Sequence, residues 1–200
     1  MSLFPESVPP KPLGERMRPR SLEEVLGQDR AKAILSAYVQ SGEMPSLILW
    51  GPPGSGKTTL SRLMASLLEW DSRMLNATSA SVKDIRDLAN EAKVLWTQYQ
   101  RRMLVFIDEI HRLNKAQQDV LLPFLEAGTF ILAGSTTENP FFSITQALRS
   151  RVQLIELEPL NPSSLKEGIG RAIAQLGCEM SEEAVTWIAT RVDGDLRLAF

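Results

Sequence analysis

Gly51-Pro-Pro-Gly-Ser-Gly56-Lys57-Thr58 decides the reading of this chain. The stretch matches the Walker A pattern G-x-x-x-x-G-K-[ST]. Before it, Ser46-Leu-Ile-Leu-Trp50 reads as a short buried strand. After it, Leu60, Leu63, Met64, Leu67 and Leu68 recur at the 3.6-residue period of one helix face. Strand, glycine-rich loop and helix form the context the pattern needs. Glycines allow backbone N–H groups to close around phosphates with no Cβ in the way. The N-terminus of the following helix adds its dipole. Lys57 is placed to reach β- and γ-phosphates, and the Thr58 hydroxyl to ligate Mg²⁺. The candidate phosphate-binding set is Gly51, Pro52, Pro53, Gly54, Ser55, Gly56, Lys57, Thr58 and Thr59. The competing reading, a turn beside an incidental lysine, does not account for the strand and helix around it.

Further along, Leu104-Val-Phe-Ile-Asp108-Glu109 matches Walker B. An apolar strand delivers two acids to its C-terminal end, where open parallel sheets bind ligands. Asp108 is the candidate metal ligand, and Glu109 the candidate group that orients and deprotonates a water. Alone, Asp-Glu is equally an exposed acidic turn; the paired Walker A motif argues against that. Ser135-Thr136-Thr137-Glu138-Asn139 follows a third apolar strand and reads two ways, as polar groups reaching a phosphate or water, or as a cap before Pro140. Arg149 and Arg151, and separately Arg197, read by themselves as solvated cations, although arginine can stabilise a transferring phosphoryl group. His111 reads as a structural or supporting group. Trp50, Trp70, Trp96 and Trp187 read as core or interface residues rather than a base-stacking platform.

Outward from these motifs the chain alternates. Strands are expected at 46–50, 73–77, 103–107, 130–133 and 152–157. Helices are expected at 29–40, closed by Gly42, after Lys57, at 82–99 and at 115–126, where Pro123 should introduce a bend. Such alternation predicts an α/β fold, a parallel sheet covered on both faces. Pro5, Pro9, Pro10, Pro12 and Pro19 predict an extended arm over residues 1–20. Ser21 with Glu24 resembles a capping box opening a brief helix that Gly27 would end. Pro159 and Pro162 mark a boundary, after which 163–176, 181–192 and a start at Asp195 read as helix. The expected organisation is thus an arm at 1–20, an α/β nucleotide-binding domain at 21–159 and a small helical domain at 160–200, cut short at Phe200.

The 200 residues carry a net charge of −2 and 44% hydrophobic residues, ordinary for a globular chain and not for a basic nucleic-acid binder. Any DNA contact would need a local patch or a partner. Cys178 is the only cysteine, which excludes an intramolecular disulfide. No apolar run approaches the ~18 residues of a membrane span, and the N-terminus lacks a signal-peptide pattern. The expectation is a cytoplasmic protein with no membrane partner.

Taken together, these segments resemble an AAA+ ATPase. More narrowly the chain is similar to the replication-associated recombination protein A family, whose eukaryotic relative is the Werner helicase-interacting ATPase. The markers are Pro-Leu-Gly-Glu-Arg-Met-Arg-Pro at 12–19, Leu-Gly-Gln at 26–28 and Ile-Leu-Trp-Gly-Pro-Pro-Gly at 48–54. They continue with Ile-Asp-Glu-Ile-His-Arg-Leu-Asn-Lys-Ala-Gln-Gln-Asp at 107–119, Thr-Thr-Glu-Asn-Pro at 136–140 and Gly-Asp-Leu-Arg at 194–197. The resemblance implies a P-loop fold with a helical lid that binds ATP and Mg²⁺. It implies sensor 1 at Thr137, sensor 2 at Arg197 and an arginine finger at Arg151 acting on a neighbouring subunit. It places Arg18, Pro19, Gly27 and Gln28 around the adenine. Arg149 departs from the leucine expected before the Ser-Arg finger.

The family's members are DNA-dependent ATPases that work as oligomers at stalled replication forks, nucleoid-associated, with single-strand binding protein among the implied partners. A homo-oligomer is expected where the family's C-terminal region is present. Two other functions stay open. One is a clamp-loader subunit or Holliday-junction branch-migration motor. The other is a nucleotide-binding regulatory module without turnover, against which Glu109 argues, since binding alone has no need of it.

Overall fold

The computed structural model describes residues 11–199. Pro5, Pro9 and Pro10 of the expected arm lie outside them. The arm's described part is not wholly extended: Leu13–Arg16 form a short helix, α1, which starts after Pro12, a residue suited to a helix entrance. The helix expected from Ser21 does not form. Glu24 Oε2 instead accepts from the Arg20 backbone N–H at 2.8 Å, and Leu22 and Val25 are buried in the core. Gly27 and Gln28 then both take positive φ, 60° and 59°, which no continuing helix tolerates.

Helix α2 (Asp29–Ser41) ends at left-handed Gly42, as the glycine signal predicts. It leads to β1 (Leu47–Trp50), α3 (Lys57–Leu67), β2 (Asp71–Asn76), α4 (Val82–Tyr99) and β3 (Met103–Asp108). A 3₁₀ turn (Ile110–Arg112), α5 (Lys115–Glu126), β4 (Ile131–Thr136), α6 (Pro140–Ser143), α7 (Gln146–Arg149) and β5 (Gln153–Glu156) follow. Then come α8 (Pro162–Leu176), α9 (Glu182–Arg191) and a 3₁₀ turn (Leu196–Ala199) where a third helix was expected. Capping boxes fix two starts: Ser81 with Asp84 for α4, and Asn114 with Gln117 for α5. Pro123 sits inside α5 without ending it.

The five strands form one parallel sheet in the order β2-β3-β4-β1-β5. Its interior strands are buried on both faces: Leu47, Ile48, Leu49, Met103, Leu104, Val105 and Ile107 are all 1% exposed or less. One face packs on α2 and α3 through Leu35, Leu60 and Met64; the other packs on α4 and α5 through Ile85, Ala89 and Leu121. A third apolar cluster of Leu160, Leu165, Ile169, Ala189 and Val192 lies in the segment after Pro159. Among the tryptophans, Trp96 and Trp187 are exposed, the latter lying under the Arg191 guanidinium. No helix among the described residues is long and apolar enough to cross a membrane.

Candidate nucleotide site

The C-terminal ends of β1, β3 and β4 are in register: Trp50 is opposite Thr136, and Ile107 opposite Gly134. That register brings the loop after β1, the acids at the end of β3 and the hydroxyls at the end of β4 to one edge. A cleft of ≈ 760 Å³ opens there. Pro53 through Thr59, Asp108, Glu109 and Thr137 line one side. Arg18, Pro19, Leu160, Gly168, Leu196 and Arg197 line the other.

The loop's glycines serve different ends. At Gly51 a Cβ would stand 2.2 Å from the Leu157 carbonyl oxygen, so its bareness lets β1 leave the sheet beside β5. At Gly56, with φ 99°, a Cβ would meet nothing within 4 Å; that bareness leaves space in front of the loop. Lys57 is buried, and its ammonium donates to the carbonyls of Gly51 at 2.8 Å and Pro52 at 2.7 Å. Burial pushes its pKa below the ordinary lysine value, and Glu109 and Asp108 act in the opposite sense. One of its three donors is left for an anion.

Asp108 accepts from the hydroxyl of Ser135. Ser135 Oγ also accepts from the Glu109 N–H at 3.4 Å. Ser135, fully buried, thus supports both acids. The polar run at the end of an apolar strand signalled the region but not this contact. Thr137 Oγ1 donates to Glu109 Oε2 at 3.4 Å. Across the cleft, Arg197 is chelated by Asp195, with Nε to Oδ1 at 3.0 Å and Nη2 to Oδ2 at 2.8 Å. That bond holds the Asp195 carboxyl below its ordinary range and raises Arg197. Asp195 also closes over the loop, where a Cβ on Gly54 would fall 2.1 Å from its Oδ1.

Gly27, Gln28, Arg149 and Arg151, also singled out in the sequence, do not line the cleft. Gly27 and Gln28 are behind the cleft rather than in it. The Gln28 amide donates to the carbonyls of Ser55 at 3.2 Å and Glu158 at 2.6 Å and accepts from the Glu158 N–H at 3.1 Å. It ties the glycine-rich loop to the segment after β5 and is spent on backbone groups. Arg151 is outside the cleft, bound to Glu126 through Nε at 2.7 Å and to the Ala147 carbonyl at 2.7 Å. Arg149 lies over the Phe141 ring at 5.2 Å and donates to the Phe141 carbonyl.

The donor set fits a nucleotide with Mg²⁺. Ser55 Oγ and Arg18 Nε and Nη1 are buried with no partner among the described residues, and both side chains line the cleft. Buried donors of this kind are costly unless something accepts from them, and phosphate, ribose or base oxygens and nitrogens would. Among the described residues no group of three or more His, Cys, Asp or Glu could hold a metal. One carboxylate and one hydroxyl suit Mg²⁺ only when it arrives with phosphate ligands.

Fold and site define the class, the P-loop domain of an AAA+ ATPase. Residues 17–136 match the family described as the Holliday junction DNA helicase RuvB P-loop domain, and the chain belongs to that family. Among curated relatives it is 41% identical over 197 residues to the ATPase WRNIP1 of Dictyostelium discoideum, covering 94% of this chain and 22% of that protein. It is 39% identical over 199 residues to replication-associated recombination protein A of Bacillus subtilis (strain 168), covering 94% and 46%. Among solved structures, the RuvB Holliday junction branch migration motor of Thermotoga maritima has a TM-score of 0.79 at 34% identity, covering 92% of this chain and 62% of that one. The resemblance seen in the sequence motifs is the one these comparisons return. The chain spans less than half the length of these two curated relatives.

Proposed function

We propose that this chain binds ATP with Mg²⁺ and hydrolyses it as the motor part of a DNA-dependent ATPase serving replication and recombination. The observation that carries the reading is the convergence on one cleft of Lys57, Asp108, Glu109, Thr137 and Arg197. Each meets a need of phosphoryl transfer to water. The loop N–H groups and Lys57 hold the phosphates. Thr58 and Asp108 would hold Mg²⁺, which would draw charge from the phosphate oxygens. Glu109 takes the proton of the attacking water as its oxygen bonds to the γ-phosphorus and the bond to ADP breaks. Thr137 steadies Glu109. Arg197 reaches the γ-phosphate from the lid once it is drawn from Asp195. Arg18 and Pro19, on the cleft wall with Leu160 and Leu196, take the base.

Arg151 does not line its own cleft and is held by Glu126 and the Ala147 carbonyl, which supports its acting on a neighbouring copy in an oligomer. The names of the relatives, replication-associated recombination protein A and the ATPase WRNIP1, favour work in replication and recombination, which at a stalled fork would mean contact with DNA. The fold match to a branch migration motor favours a second reading, movement on Holliday junctions.

Steady-state ATP hydrolysis over a range of protein concentrations, with and without forked DNA, tests the proposal. Turnover that rises faster than protein concentration and is stimulated by DNA is expected. ATP binding without turnover at any concentration refutes hydrolysis by this chain. Linear turnover indifferent to DNA removes the oligomer and DNA parts. Glu109→Gln should keep ATP affinity while losing about 100-fold or more in turnover.

A further inference from the structure

Neither Walker motif accounts for the imidazole next to the acids. His111 is the chain's one histidine, and its side chain is only 4% exposed. Its ring lies between two carboxylates, with Nδ1 3.2 Å from Glu109 Oε2 and Nε2 3.6 Å from Glu138 Oε1. Nδ1 is also 2.9 Å from Thr136 Oγ1, a hydroxyl that donates to the Glu138 carbonyl at 3.2 Å. An ionised carboxylate only accepts, so the Glu109 oxygen before Nδ1 calls for an N–H there, and the Thr136 hydroxyl beside it can accept from the same N–H.

Glu109 needs holding. Its backbone is left-handed, φ 51° and ψ 48°, a conformation that a residue with a side chain adopts against a steric cost and that clusters at functional sites. Its side chain is more than a third exposed, so packing alone does not fix it. Oε2 faces the Thr137 hydroxyl and the His111 ring. Oε1 is engaged by no hydrogen bond among the described residues.

We propose that His111 is a positioning residue for Glu109: its Nδ1–H holds Oε2 and turns Oε1 out as the oxygen that takes the proton of the attacking water. The proposal rests on the reading of Glu109 as the base. It makes the end of β4 a partner in the chemistry, because Thr136, Thr137 and Glu138 frame the same imidazole and carboxylate.

A lone histidine is its own probe. In the full chain labelled with nitrogen-15 histidine, the ring should show the Nδ1–H tautomer, and its signals should move in Glu109→Gln. The Nε2–H tautomer, or signals indifferent to Glu109→Gln, overturns the proposal. This measurement needs no turnover, so it decides the contact even if the chain proves unable to hydrolyse ATP.

Turnover decides the role. His111→Ala should lower kcat by about 10- to 100-fold with ATP affinity unchanged, since a misplaced catalytic group costs that much. His111→Asn keeps an N–H near the Nδ1 position and should stay within about threefold of wild type, whereas His111→Gln, with its amide nearer Nε2, should resemble His111→Ala. In the Glu109→Gln background, His111→Ala should add no further loss. Equal losses in the Asn and Gln variants, or a full additional loss on Glu109→Gln, overturns the proposal. If His111→Ala does not fold, the Asn and Gln pair and the spectrum of the unsubstituted chain still decide it.

Discussion

Replacing Gly51 by alanine should damage the fold first and the ligand site second, the reverse of what a phosphate-loop glycine suggests. The added Cβ would lie 2.2 Å from the carbonyl oxygen of Leu157, 3.1 Å from its carbonyl carbon and 3.2 Å from its Cβ. None of the three atoms is the free end of a flexible side chain. The Leu157 N–H donates to the Trp50 carbonyl at 2.8 Å, and the Gly51 N–H to the Thr136 carbonyl at 3.2 Å. Relief therefore means prying β5 from β1. Overpacking of this kind costs about 1–3 kcal/mol, and a weakened sheet hydrogen bond about 1 kcal/mol more. For a chain of this size, ~2–4 kcal/mol lowers Tm by roughly 5–15 °C. Gly56→Ala meets no atom within 4 Å and carries only the cost of positive φ, about 1–2 kcal/mol, while it adds bulk to the loop expected to hold a phosphate. Thermal unfolding followed by circular dichroism, paired with titration of a fluorescent ATP analogue, separates the two. Gly51→Ala should melt well below Gly56→Ala, and Gly56→Ala should lose the analogue while remaining folded. A Gly51→Ala chain melting within about 2 °C of the parent would refute the argument that this glycine is demanded by Leu157.

Other outcomes follow from the same geometry. Lys57→Ala should abolish ATP binding in calorimetric titration; tight binding retained would sink the assignment of the loop. Arg151→Ala should lose hydrolysis and keep ATP affinity, and mixing it with Lys57→Ala under conditions where mixed oligomers form should restore activity. Failure to restore it there would remove the action on a neighbour. The Asp195 carboxyl is held below its ordinary value of 3.8 chiefly by the bond from Arg197. The stabilisation it brings is complete above 3.8 and is lost as pH falls through the lower folded value. Asp195→Asn should therefore flatten the acid limb of stability against pH, and superimposable acid unfolding curves would contradict this.

Local features of the sequence carried most of the fold. The apolar runs at 46–50 and 103–107 read as strands because short runs of large apolar residues, closed by glycine or acids, suit a sheet covered on both faces. Gly42 acts within one helical turn, so its signal is complete in a short window, and the Ser81 and Asn114 caps found in the structure are equally local. What escaped is non-local or backbone-directed. Gln28 bonds Glu158 across 130 positions, and nothing around Leu-Gly-Gln reveals that its side-chain amide ties two distant backbone segments together. Ser21 and Glu24 have capping-box spacing, but burial of Leu22 and Val25 and the two positive φ values at Gly27 and Gln28 prevail over it. Asp195 reads as a helix entrance, whereas its carboxylate is occupied by the arginine two residues on. Ser135 is recognisable as polar at the end of an apolar strand, while its bond to Asp108 depends on the β3–β4 register.

The strand order has a consequence for how the chain comes into being. β1, the strand that launches the glycine-rich loop, pairs with β4 and β5 and with nothing before them. As the polypeptide leaves the ribosome from its N-terminus, Leu47-Ile-Leu-Trp50 emerges long before either neighbour, and some 80 to 100 further residues must follow before the ladder can close. For that interval it is a bare apolar ribbon with two open edges, the kind of segment that sticks to other chains. The loop's anchorage waits as well, since the Gly51 N–H finds its acceptor on Thr136 and the Trp50 carbonyl its donor on Leu157. The loop's two backbone anchors are thus complete only in a sheet in which β1 has both β4 and β5 beside it.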